Sequence, residues 1–183
     1  MSATAGRPAE RAPATLRRRF AAMVYELLIV VAIAFLVGLV FVLAYAAVTG
    51  TTGTLRIRGP ARLLLQLSVL AALGAYFVWF WRLGRTLPMK TWDLHLQGRE
   101  GRQVSTGAAL ARFLVAAAVF VPLLVGVLEL RQDRTAMLGW AALVPFLVAV
   151  GWSLVDRDRQ TLWDRIAGTR LVHVPARRAA RGG

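Results

Sequence analysis

Three charged residues stand in apolar runs or at their mouths, a fourth follows the last run, and together they define the chemistry open to this chain. Glu26 heads an apolar run in which residues 27–48, 22 in all, carry no charge. Arg19 precedes it by seven residues, which on a helix puts both on nearly one face, roughly 10 Å apart along the axis. The arginine reaches toward the headgroup layer of a bilayer. The carboxylate falls at or below the interface, where it must be neutralised, paired or wetted. Arg112 stands early in another apolar run, at similar depth in a four-span arrangement. An Arg112–Glu26 pair is therefore expected, bidentate where geometry allows.

Two chemistries follow for Glu26. Either it staples helices together through its arginines, or it binds a proton or cation in exchange for its arginine partner. Asp164 lies beyond the last apolar run, in a segment rich in Arg and Trp. It is expected to be a cap or salt bridge fixing that segment beneath the bundle. The sharper alternative is a gate in which it meets Arg19 or residues 84–91.

The elements that must position these groups are four apolar blocks, about residues 20–48, 63–81, 107–128 and 136–155. At 1.5 Å per residue each approaches or exceeds the hydrocarbon thickness. Pro60 suits the start of the second helix, and the cluster Tyr76-Phe77-Val78-Trp79-Phe80-Trp81-Arg82 closes it as interfacial aromatics do. Pro122 and Pro145 fall inside the third and fourth blocks, where membrane bundles tolerate them. Ala44-Tyr45-Ala46 resembles a signal cleavage site, but the block before it is too long for a signal core, so an uncleaved first span is expected.

Between the second and third blocks, Thr91-Trp92-Asp93-Leu94-His95-Leu96-Gln97 alternates with period two, and Gly98-Arg99-Glu100-Gly101 follows as a turn. That pattern reads as a short strand and hairpin on the membrane surface, a short helix being the alternative. Residues 169–174 alternate in the same way. The two segments, 86–96 and 169–174, are expected to pair, since isolated strand edges are unfavourable.

Lys and Arg number 23 against 9 acids, a net charge of +14, in a chain that is 57% hydrophobic and only 17% charged. In a soluble protein that balance would suggest nucleic acid. Here the arginines flank apolar blocks, so topology and anionic lipid headgroups explain them better, and no nucleic-acid partner is expected. With four spans the basic residues divide 18 to one side and 5 to the other, which places both termini in the cytoplasm. There is no cysteine, so disulfides, thiolate catalysis and cysteine metal sites are excluded. His95 and His173 lack metal-ligand spacing. No phosphate loop, Gly-x-Ser-x-Gly or Ser/His/Asp arrangement occurs. Neither an enzyme, nor a cofactor, nor a metal is expected.

Three islands resemble the RDD family of small bacterial membrane proteins. Arg19-Phe20-Ala21-Ala22-Met23-Val24-Tyr25-Glu26 is similar to the family's arginine at the mouth of the first helix and acid seven residues on. Gly84-Arg85-Thr86-Leu87-Pro88-Met89-Lys90-Thr91-Trp92 resembles its stretch after the second span. The block from Gln160-Thr161-Leu162-Trp163-Asp164 to Arg165-Ile166-Ala167-Gly168-Thr169 is similar to its terminal acid-containing one. Departures are Glu26 for the family's aspartate, Arg85 for Gln, Pro88 for Gly, and Trp163 for a histidine. The resemblance implies transport of a small ligand, with cation–proton exchange as the sharper version.

The expected architecture is an all-α membrane protein with four transmembrane helices and a small β-hairpin or sheet on the cytoplasmic face. It spans residues 17–175, between disordered basic tails at 1–16 and 176–183. The expected location is the bacterial inner membrane, as a multi-pass protein that forms a homo-oligomer. Site residues are Arg19, Glu26, Arg112 and Asp164. A membrane accessory protein that binds a partner and transports nothing is the alternative.

Overall fold

The computed structural model describes residues 15–50, 56–98, 101–130, 136–156 and 160–174, with the backbone alone at 16, 125–130, 136–140 and 142. The expected tails fall outside these residues, except that Thr15 and Leu16 already open the first helix.

Helix α1 runs Leu16–Thr49 over 34 residues and beyond Glu26 is apolar all round, ending on Gly50 in the left-handed conformation (φ 63°). A helix without a polar stripe has no single face to bury and suits a lipid surround. Helix α2 is Pro60–Arg82, with Pro60 in its first turn, where the missing N–H would have had no partner anyway. Helix α4 is Thr106–Leu130, its start capped by Ser105 Oγ, which accepts from the Ala108 amide at 3.2 Å. Helix α5 is Ala136–Val155. Both α4 and α5 continue through their prolines. Among the described residues three helices are long and apolar enough to cross a membrane: Arg17–Thr49, the one beginning at Pro60, and Thr106–Leu124. Leu143–Val155 in α5 is a shorter apolar stretch.

Four small elements complete the described residues: α3 (Leu87–Thr91), β1 (Leu94–Gln97) with its partner β2 (Arg170–His173), and α6 (Leu162–Ala167). The strand expected over 91–97 is shorter than its alternation suggests. Thr86 and Pro88 turn 87–91 into a single helical turn, with Thr86 Oγ1 accepting from the Met89 amide. Nor does β1 close a local hairpin. It pairs antiparallel with β2, Leu94 opposite His173 and Gln97 opposite Arg170, within the two segments expected to meet.

The open edges of this two-stranded sheet are tied to helix ends. The Leu96 amide donates to the Gly84 carbonyl at 2.6 Å, and Arg19 Nη2 donates to the Leu171 carbonyl at 3.2 Å. Each bond satisfies a backbone group that an edge strand would otherwise expose. The principal buried cluster gathers here, not along the spans: Ala22, Trp81, Met89, Leu94, Leu96, Val104, Ala109 and Leu171. Along the long apolar helices Leu28, Phe35, Leu43 and Leu64 are exposed, as side chains facing lipid would be.

Helix α6 departs from expectation. It is wedged against α4 and α5, not laid beneath the bundle. Trp163 is buried in a cluster with Val119 and Ala149, and its ring lies 5.7 Å from that of Phe120. Where α2 and α4 meet, Gly74 lets the Phe113 ring close in: a Cβ there would stand 3.1 Å from Phe113 Cε1.

Candidate functional site

The site residues meet where the starts of α1 and α4, the end of α2 and both short helices converge. Glu26 lies two to three turns into α1, half-buried. Its Oε1 accepts a hydrogen bond from Thr86 Oγ1 at 2.7 Å. Thr86 is completely buried and has two tasks, since the same oxygen caps α3. The glutamate is thus registered against the α2–α3 corner through one hydroxyl. Among the described residues Thr86 is its one hydrogen-bond partner.

Arg112 occupies the second turn of α4 and is 5% exposed; Asp164 in α6 is 1% exposed. The two form an ion pair through Arg112 Nη1 and Asp164 Oδ1. Arg112 Nη1 also donates to Thr169 Oγ1 at 3.0 Å, and Thr169 Oγ1 donates to Asp164 Oδ1 at 3.0 Å. The other carboxylate oxygen accepts from Thr161 Oγ1 at 2.6 Å. Both oxygens of Asp164 are therefore satisfied, as a buried charge requires. The Arg112 guanidinium carbon lies 4.7 Å from the centroid of the Trp81 ring, a cation–π distance.

Local sequence explains this closure. Gly168 takes the left-handed conformation (φ 64°), ends α6, and lets the Thr169 amide return to the Asp164 carbonyl at 2.9 Å. That is the usual helix C-terminal turn, and it brings the Thr169 hydroxyl back onto the side chain of Asp164. One turn earlier Asp156 Oδ2 accepts from the Gln160 amide, and Arg165 approaches Asp156 at 3.7 Å.

The pairing differs from expectation in one respect. Arg112 does not bond Glu26; its direct carboxylate partner is Asp164, 52 residues away in sequence. Glu26 nonetheless lies within electrostatic reach of Arg112, and Arg112 within reach of Arg19. Arg19, 6% exposed, bonds the carbonyl of Leu171 in β2, while neighbouring Arg18 contacts His173. Two arginines and two acids therefore form one charge-balanced cluster in which Asp164 is saturated and Glu26 is not. Asp164 meets neither Arg19 nor residues 84–91.

Sequence reasoning gave Trp81 an interfacial place and Thr86 and Thr169 strand positions, but it singled out none of them, nor Thr161, as a site residue. The three threonines all lie inside the islands of family resemblance, and each was an available signal: a small hydroxyl beside a charged or helix-starting residue is a capping candidate. Among the described residues no group of three His, Asp or Glu side chains is arranged to hold a metal.

No curated protein and no solved structure gives a significant match to the chain. The model of the RDD family matches residues 13–168. That span includes Arg19, Glu26, Thr86, Arg112 and Asp164 and ends just before Thr169 and β2. Covering most of the 183 residues, the match makes the chain, with its apolar helices, a membrane protein of the RDD family.

Proposed function

We propose that the protein is a four-span inner-membrane exchanger in which Glu26 binds a proton or a small cation, with both termini in the cytoplasm. The 20 residues of α5 would reach about 30 Å, enough for the fourth crossing. The 18-to-5 division of basic residues supports the orientation. Four spans enclose little pathway, so the working unit is a homo-oligomer.

One observation carries this reading: Glu26 stands in a span with the Thr86 hydroxyl as its direct partner, while the nearby cation Arg112 is held by Asp164. A carboxylate used only as a staple would take the arginine itself. A carboxylate at that depth without a direct cation needs a proton or a cation from outside. When one binds, Arg112 is left wholly to Asp164. When it leaves, the charge on Glu26 draws on the same guanidinium. The two states differ in how the two acids share Arg112.

A second reading has its own support. The hydroxyls of Ser68 and Ser153 are spent on their own helices, bonding the carbonyls of Leu64 and Val150 at 2.8 and 2.7 Å. Little polar lining is then left along α2 and α5, which suits a membrane accessory protein that binds a partner and moves nothing.

The test is ion-driven pH change in proteoliposomes under Na⁺, Li⁺ and K⁺ gradients. Flux in the wild type that is lost in a folded Glu26→Gln variant supports exchange. Silence for every cation, with Glu26→Gln merely less stable, supports the accessory reading.

A further inference from the structure

Beside the end of α2 lies a feature that Glu26 and Arg112 do not use. A cavity of about 280 Å³ opens between the α2 terminus and the turn after β1, lined by Gly84, His95, Gln97, Arg102 and Gln103 among others. A second cavity of about 140 Å³, bounded by Trp79, Arg82, Leu83 and Gln103, adjoins it. Leu83 and Gln103 belong to both walls. Gln103 is fixed between them by its Nε2 donating to the Arg82 carbonyl at 2.8 Å. The polar cavity has a deliberate wall: Gly84 is in the left-handed region (φ 82°), and a Cβ there would stand 2.5 Å from His95 Nε2. Only a bare backbone admits the imidazole at this position.

We propose that the two cavities are halves of one phospholipid site. The anionic phosphodiester headgroup sits in the polar half, and the first methylenes of an acyl chain lie over Trp79 and Leu83. Three observations converge on that occupant. Among the described residues, the polar half is lined by one guanidinium, one imidazole and two carboxamides and by no carboxylate. The surrounding layer is mostly basic: Arg82, Arg85, Lys90, Arg102 and Arg165 are exposed, against Asp93, which is half-buried, and Asp156, which is engaged by Arg165. The apolar half continues an aromatic belt at a helix end, with Trp79 64% and Leu83 58% exposed, where side chains mark the membrane–water boundary. A free phosphate would match the first two features but not the third. A zwitterionic lipid would bring a second cation into a basic layer.

The test uses the full chain in detergent micelles, titrated with phosphatidylglycerol or phosphatidylcholine, with retained lipid counted by native mass spectrometry. One phosphatidylglycerol should be held in preference to phosphatidylcholine. Arg102→Glu should weaken that binding about tenfold, as expected for reversing one basic contact at the surface. Lys90→Glu makes the same charge change on the same layer outside the cavity and should leave binding within about twofold. Gly84→Ala, which displaces His95, should weaken it too. If Arg102→Glu and Lys90→Glu weaken retention equally, the attraction is diffuse and there is no site. If soluble glycerol phosphate competes as effectively as the lipid, the apolar half contributes nothing and the assignment to a lipid fails.

Discussion

Replacing Asp164 by Asn should be the most destabilising single-atom change in the molecule. The variant keeps the size of the side chain and one carbonyl to accept from Thr169, but removes the one carboxylate among the described residues in direct contact with Arg112. The guanidinium is 5% exposed and cannot turn to water, so its charge stays buried without a direct counter-charge. Breaking a buried pair from one side costs about 3–5 kcal/mol. Since the amide still offers one acceptor, the lower end, about 3 kcal/mol, is expected. Glu26→Gln should cost less than about 1 kcal/mol, because Gln keeps an oxygen for the Thr86 hydroxyl and no direct ion pair is lost. The paired change Arg112→Met with Asp164→Leu should recover most of the loss, because neither charge is then stranded. Reversible unfolding in mixed micelles measures all four proteins. An Asp164→Asn cost below that of Glu26→Gln would refute the pairing. So would a double variant as unstable as the worse single one.

Three further outcomes follow from the same geometry. Thr86→Val removes both the cap of α3 and the donor to Glu26, and should cost about 1–2 kcal/mol in the same unfolding assay, while Thr86→Ser should restore most of it. Gly84→Ala strains a positive-φ backbone and pushes on His95, so a loss of about 1–3 kcal/mol is expected, with faster amide exchange at Leu96. The natural absence of cysteine makes single-cysteine labelling clean: Thr15→Cys and Lys90→Cys should react from the same side of the membrane and Arg56→Cys from the other. Labelling of all three from one side would overturn the four-span orientation.

What could be read from sequence divides along physical lines. Spans are legible because a membrane helix states its requirement locally, in length and apolarity, and the blocks before Gly50 and after Pro60 end within a few residues of the observed helices. The pairing of β1 with β2 was legible because both segments alternate and neither can stand alone. Its short extent was not, although Thr86 and Pro88 are a recognisable cap and first-turn proline for α3. The partner of Arg112 was illegible for a different reason. Depth along a helix suggested Glu26, but the choice between two acids depends on where α6 packs, and its wedging beside Val119 and Phe120 is a tertiary outcome. Trp163 supplies the apolar surface for that wedge. No local pattern announced it.

The most direct measurement of the central claim is the infrared carboxyl band of Glu26, isolated as the difference between the wild type and Glu26→Gln in bilayers. The expected result is one carboxyl that passes between protonated and ionised forms as pH or cation concentration changes, with Asp164 staying ionised throughout. A Glu26 signal that stays the same across pH and under every alkali cation would contradict exchange at this residue and leave it a structural hydrogen-bond acceptor for Thr86.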